Sequence, residues 1–180
     1  MSGARGPALR QALGAGLWGL VFLWAATAQA HVASNGFLAA RVSGQDVAGS
    51  VELALRDVEL AVGVDADRDG KVTWGELQAA GPAVAAYVRN HVELRSGAAA
   101  CELEFQRLQV NDRVDGAYAW LPFTAHCPVA VRILGIRYSI MDGIDPSHRG
   151  LLTLTAGGVT QTGVVGGPAS AAGHFGEGDR

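Results

Sequence analysis

Along residues 37–55, apolar and polar positions alternate with the two-residue period of a pleated strand. FLAARVSG (37–44) and VAGSVELAL (47–55) flank Gly44-Gln45-Asp46, and Val51, Leu53 and Leu55 alternate with Glu52 and Ala54. The pattern predicts two half-buried strands joined by a turn. Arg56-Asp57 breaks the alternation. Asp57 is placed to N-cap a short helix over 58–64, with Val58, Val62 and Leu55 on one face, although its valines are poor helix formers. From Trp74 the period changes to that of a helix. Gly81-Pro82 interrupts it, with Pro82 as the first residue of a continuing helix. Val84, Tyr87, Val88 and His91 then recur at i, i+3, i+4 and i+7, which gives that helix one buried face.

The second half returns to strand periodicity. CELEFQRLQV (101–110) alternates and then slips phase at Gln106-Arg107, the mark of a bulge. Asn111-Asp112 and Asp115-Gly116 read as a turn region. AYAWLPF (117–123) reads as a strand that Pro122 assigns to an edge or a strand end. VAVRILGIRYSI (129–140) is rich in β-branched residues and is the strongest strand signal, and LLTLT (151–155) is a short one. Strands on both sides of a helical segment predict an α+β domain, an antiparallel β-sandwich-like arrangement with a helical insertion. Over 156–180 the periodicity fades and eight of 25 residues are Gly. Val159–Val165 is placed for one more strand, and GGPASAAGHFGEGDR reads as a flexible tail or linker.

Residues 1–30 have the layout of a secretory signal peptide. Arg5 and Arg10 form a basic start, LGAGLWGLVFLWAA (13–26) an apolar core, and Ala28-Gln29-Ala30 a small-x-small cleavage pattern, so that His31 becomes the first mature residue. The apolar core is shorter than the roughly 20 residues of a membrane span; the alternative is an uncleaved anchor. No other stretch is long and apolar enough to span a bilayer. The expectation is a periplasmic or secreted chain of one β-rich domain over 31–155. In an oxidising compartment Cys101 and Cys127 have one possible pairing, a disulfide, with two free buried thiols as the alternative.

Composition narrows the field further. The 180 residues carry 14 Lys and Arg against 17 Asp and Glu, a formal charge of −3, and removal of 1–30 takes this to −5. Such a chain has no basic footprint for nucleic acid. With 49% hydrophobic residues it is too apolar to remain disordered.

The sharpest chemical signal is residues 65–76, Asp-Ala-Asp-Arg-Asp-Gly-Lys-Val-Thr-Trp-Gly-Glu. They match the D-x-D-x-D-G…E pattern of an EF-hand calcium loop. Ca²⁺ is a hard cation that takes six to eight oxygens at about 2.3–2.6 Å. Asp65, Asp67 and Asp69 supply carboxylates from successive corners of a tight turn, and Gly70 permits the bend. Lys71 offers its main-chain carbonyl, Thr73 the position that often binds through water, and Glu76 a bidentate closure from the first turn of the exiting helix. Val72 fits the apolar slot that pins the loop to the core. The alternative is a solvated acidic turn that has kept the shape and not the ion. No second copy of the loop occurs, and Met-rich helices of the sensor type are absent, so a structural brace fits better than a sensor.

Three segments together resemble one family: LRDVELAVGVDADRDGKVTWGEL (55–77), the two separated cysteines, and YSIMDGIDPSHRGLL (138–152). The arrangement is similar to the extracytoplasmic N-terminal domain of membrane proteins of the HupE/UreJ type. Those begin with a signal peptide and a pair like Ala30-His31. A β-rich domain follows, with an Arg-Asp-Leu/Val step, an EF-hand-like loop and an Asp-x-x-His-Arg step. Here the steps are Arg56-Asp57-Val58, residues 65–76 and Asp145-Pro146-Ser147-His148-Arg149. The family continues into a multi-helix membrane portion regarded as a permease for metals or small molecules. The resemblance therefore implies a membrane protein or membrane domain as partner. Beyond Arg180 it implies either a stand-alone version or a domain that follows the tail. Transport is not assigned to these residues.

Other candidates compete with the calcium reading. A mature N-terminal His31 offers an amine and an imidazole for Cu(II), with His91, His126 or His148 as a further ligand. Asp145 and His148, with Ser147 beside them, offer a hydrolase-like acid/base pair, although residues so close in sequence seldom reach triad geometry and no Gly-x-Ser-x-Gly elbow is present. The blander reading has Asp145 and Ser147 capping a turn. Trp74 and Trp120 read as packing residues rather than a sugar platform. The balance favours a binding domain over an enzyme.

Overall fold

A computed structural model describes residues 34–167 and the backbone of 172–176. The expected signal peptide and its Ala30-His31 junction lie outside the described residues. The chain runs β1 (Asn35–Ser43), β2 (Asp46–Ala54), α1 (Leu55–Val62), α2 (Trp74–His91), β3 (Val92–Ser96), β4 (Ala99–Ala100), β5 (Glu102–Phe105), β6 (Gln109–Arg113), β7 (Gly116–His126), β8 (Ile133–Tyr138), β9 (Arg149–Ala156), β10 (Val159–Val165) and β11 (Ala172–Gly176). One sheet has seven strands in the order β10-β9-β1-β2-β7-β5, with β6 also on β7; the other has four, β11-β8-β3-β4. The fold is α+β and β-sandwich-like. Leu38, Val51, Leu121, Phe123 and Leu152 from the large sheet share a buried core with Leu94, Leu134, Ile136 and Tyr138 from the small one, and Val58, Leu77, Val84 and Val88 add the helices.

The strand pattern carries over where alternation was clean. β8 alternates, with Leu134, Ile136 and Tyr138 buried. The phase slip after Phe105 is real: Phe105 pairs with Phe123 and Gln109 with Trp120, so three residues of one strand face two of the other. Pro122 is not at an edge, because β7 is flanked by β2 and by β5 and β6. It is tolerated there because a residue's N and O point to the same side of a strand. The Pro122 carbonyl accepts the Gln106 N–H at the bulge, where the ladder is already broken and no N–H is needed.

Several expectations are corrected. The sheet is not wholly antiparallel, since β1 runs parallel to β9. Helix α1 begins at Leu55 with Ala54 as N-cap, without a side-chain cap. Asp57 lies inside the helix and is buried rather than capping it. Gly63 ends α1 at φ 72°, a backbone state that costs glycine little. Helix α2 passes through Pro82 without a break. Asn111-Asp112 lies within β6, and only residues 133–138 of the segment 129–140 form a strand. The stretch from 156 on is not only a tail: β10 pairs with β9, and residues 172–176 pair with β8.

Candidate metal centre

Loop 65–76 joins α1 to α2, and both helices fix its ends. At its start the Glu59 carboxylate accepts the N–H of Val64 at 2.6 Å and of Asp65 at 2.8 Å. At its end Thr73 is the N-cap of α2 and forms a reciprocal capping box with Glu76. Val72 packs against the core from a partly buried position. Gly70 sits at φ 82°, where a side chain would be strained, so the glycine at this position answers a backbone need.

Glu76 closes the loop on itself. Its Oε2 accepts the Thr73 N–H at 2.9 Å and the Thr73 hydroxyl at 2.7 Å, while Oε1 accepts the Ala66 N–H at 2.9 Å and, more weakly, that of Asp67 at 3.4 Å. These donors, those of Thr73 first, hold the Glu76 carboxyl below its ordinary range. One carboxylate thereby ties the first turn of the loop to the last.

Ligand atoms of Asp65, Asp67 and Glu76 lie within 4.8 Å of one another, the one such group of His, Cys, Asp or Glu among the described residues. They could hold a metal ion. Asp65 Oδ2 accepts the Gly70 N–H at 2.9 Å, whereas Asp65 Oδ1 is buried and has no hydrogen-bond partner. A buried carboxylate oxygen without a donor carries an uncompensated desolvation cost that a cation would remove. The remaining expected ligands stand differently. Asp69 is outside the close group and accepts the Lys71 N–H at 2.8 Å through Oδ1. The Thr73 hydroxyl is engaged with Glu76, so its place in the loop is that of a helix cap.

A second cluster was not legible in the sequence. Ser34, Asp57, Tyr138 and His148 are all buried. The Ser34 hydroxyl donates to Asp57 Oδ2 at 2.8 Å and lies 2.5 Å from His148 Nδ1, and Tyr138 Oη lies 2.7 Å from His148 Nε2. With a neutral imidazole, one proton arrangement satisfies every contact. Tyr138 donates to Nε2, Nδ1–H donates to Ser34, and Ser34 donates to Asp57. Burial pushes the imidazole proton affinity below normal against the opposing pull of Asp57, and burial raises that of the Tyr138 phenol. The Arg-Asp and Asp-x-x-His-Arg steps thus meet in space, through Asp57 and His148 rather than through Asp145.

Asp145 does not engage the imidazole as an acid/base partner. Its Oδ1 accepts the Ser147 N–H at 2.8 Å and the Ser147 hydroxyl at 2.6 Å, a local turn cap that also lowers its proton affinity. The copper candidates are dispersed among other partners. His31 lies outside the described residues, His91 Nδ1 is 2.7 Å from the Tyr87 carbonyl, His126 pairs with Asp46, and His148 is in the buried cluster. Trp74 is 52% exposed, contrary to its reading as a packing residue, whereas Trp120 is partly buried. Cys101 and Cys127 form the expected disulfide, with Cα atoms 4.1 Å apart. No helix among the described residues is long and apolar enough to cross a membrane. No model of a known protein family matches the chain, and no curated protein matches it.

Proposed function

We propose that the protein is an exported calcium-binding interaction domain in which loop 65–76 acts as a structural brace of the EF-hand-like kind. The observation that carries this reading is the convergence of Asp65, Asp67 and Glu76 on one volume, with Asp65 Oδ1 buried and unpartnered. An all-oxygen donor set favours a hard divalent cation, and the main-chain carbonyl of Lys71 with waters would complete the shell. The ion would neutralise the loop's acids and fix α1 against α2. It would act on shape, not as a catalyst. The disulfide supports an oxidising, periplasmic or secreted setting. In such a setting single sites bind with Kd on the order of 10⁻⁴–10⁻³ M. The resemblance to the HupE/UreJ type supports a membrane protein or membrane domain as the partner.

Thermal unfolding in millimolar calcium and in chelator tests the proposal. At ten times Kd, binding to the folded state adds about 1.4 kcal/mol. That corresponds to a rise in Tm of roughly 4–6 °C for a domain of this size. Magnesium at equal concentration should give a smaller shift. Equal melting temperatures in calcium and chelator would remove the basis for the assignment.

A further inference from the structure

Strand β10 (Val159–Val165) forms one border of the large sheet. It pairs with β9, and no described strand pairs with its outer side. Native sheets guard such borders with charge, proline or brevity, because the unpaired N–H and C=O groups template another strand. Three other border strands follow this rule. β5 carries Glu102 and Glu104, β6 carries Asp112 and Arg113, and β4 is two residues long. β10, VTQTGVV, has seven residues with neither charge nor proline. Its Val159 and Val164 are 58% and 56% exposed.

The hairpin decides which backbone groups of β10 face outward. Ala156 and Val159 close a two-residue turn at Gly157-Gly158, at φ 57° and 80°, so they form a hydrogen-bonded pair. Bonded and non-bonded pairs then alternate along an antiparallel ladder. Gln161 with Leu154, Gly163 with Leu152 and Val165 with Gly150 are the bonded pairs that follow. Thr160, Thr162 and Val164 therefore direct their N–H and C=O groups away from β9. Their side chains lie on the open face, opposite Thr155, Thr153 and Leu151, and the Thr155 and Thr160 hydroxyls are 3.1 Å apart.

This outward set is symmetric about Thr162, and the symmetry selects the partner. We infer that β10 pairs antiparallel with β10 of a second copy of the chain, on a two-fold axis through Thr162. In that register Thr162 meets Thr162, and Thr160 meets Val164 in both directions. Every outward N–H and C=O of the three residues then finds its complement. The facing side chains are Thr–Thr and Thr–Val, uncharged β-branched pairs suited to a pleated surface. On the opposite face the exposed Val159 comes beside Val165 of the second copy. At the ends, Gly157 and Gly158 of one copy meet Gly167 and Gly166 of the other, so neither turn puts a side chain of its own in the way. Arg149, beside Gly167, is held by the Pro146 and His148 carbonyls. The two large sheets become one continuous sheet. A contact of one strand per copy is at the low end of interface sizes, so the dimer is weak and reversible.

Sedimentation equilibrium of the full, oxidised chain, from about 10 μM to about 500 μM, tests the inference. A reversible monomer–dimer equilibrium is expected. Thr162→Lys and Thr162→Glu each set like charges opposite one another on the axis and should weaken dimerisation by about tenfold or more. An equimolar mixture of the two variants should restore it, because opposite charges then face each other. Thr162 is exposed, and retained melting temperatures confirm that both variants fold. In the parent chain, amide hydrogen exchange should slow with concentration at Thr160, Thr162 and Val164 and stay constant at Gln161 and Gly163. A chain that stays monomeric throughout, association that either variant leaves intact, or a mixture that remains monomeric would overturn the inference. So would a monomer whose β10 takes up a foreign extended peptide in place of a second copy.

Discussion

Asp57 and Glu59 stand two residues apart on α1 and serve opposite ends of the domain's polar architecture. Asp57 accepts the Ser34 hydroxyl inside the core, and Glu59 accepts the Val64 and Asp65 N–H groups at the start of the acidic loop. A helix of eight residues is too short to be stable on its own. It is held by Val58 in the core and by these two carboxylates. Displacement of α1 therefore disturbs the loop and the buried cluster together.

Removal of one member of the buried cluster should be costly. His148→Ala strands the Tyr138 hydroxyl and deletes a packed ring, and Asp57→Leu removes the acceptor of the Ser34 hydroxyl. Each should destabilise the fold by about 3 kcal/mol, whereas Tyr138→Phe, which leaves only Nε2 unpaired, should cost about 1–3 kcal/mol. Urea unfolding monitored by tryptophan fluorescence measures all three.

The same imidazole sets a pH signature. Its folded proton affinity is depressed from the ordinary value of 6.5, so the unfolded chain binds the proton more readily. This contribution is fully present above 6.5 and declines as pH falls below it. Glu76, depressed from 4.5, behaves as a carboxylate: its contribution is present above 4.5 and is lost only in stronger acid. As pH falls from 6.5 to 4.5, before Glu76 begins to titrate, the slope of stability against pH should be shallower in His148→Gln than in the parent. Equal slopes would assign the acid sensitivity elsewhere.

Within the loop, Glu76→Gln should abolish the calcium-dependent rise in Tm, and Asp65→Asn should reduce it strongly. Gly70→Ala should cost about 1 kcal/mol or more even in chelator, since it strains a backbone at φ 82°. Paired melts with and without calcium separate the ligand effect from the backbone effect.

On the open face of the large sheet, Arg113 donates to both oxygens of the largely buried Glu52 at 3.0 Å and lies 3.7 Å from the centre of the Phe37 ring. A lysine keeps the charge and loses the fork and the stacking plane. Arg113→Lys should therefore destabilise by about 1 kcal/mol, and Arg113→Met by more, because Glu52 then keeps only Asn111 as a side-chain donor among these contacts. Calorimetric unfolding of the two variants supplies the comparison.

The acidic loop was legible because its spacing is dictated by local chemistry: Gly70 and Glu76 occupy positions set by a turn and a helix start. Strand β8, with one buried face, was legible for the same reason, whereas the alternation read over Val51–Ala54 of β2 is lost because Ser50, Glu52 and Ala54 are buried as well. What sequence could not reveal depends on distant partners. Asp57 reads as a cap because its core partners, Ser34 and His148, are remote in the chain. Pro122 reads as an edge residue because the bulge that excuses it is on a neighbouring strand. The alignment of Asp46, His126 and Glu102 on β2, β7 and β5 depends on register across three strands, which no local periodicity encodes.

Strand β1 lies between β2, its neighbour in the chain, and β9, whose pairing spans more than a hundred positions; the flanking contact of Ser34 with His148 spans 114. The middle of the large sheet therefore cannot close until nearly the whole polypeptide has been made. Contacts of such long range slow folding. Under the proposed export, this delay would leave the leading segment pliable during passage and let the β1–β9 ladder form on the far side.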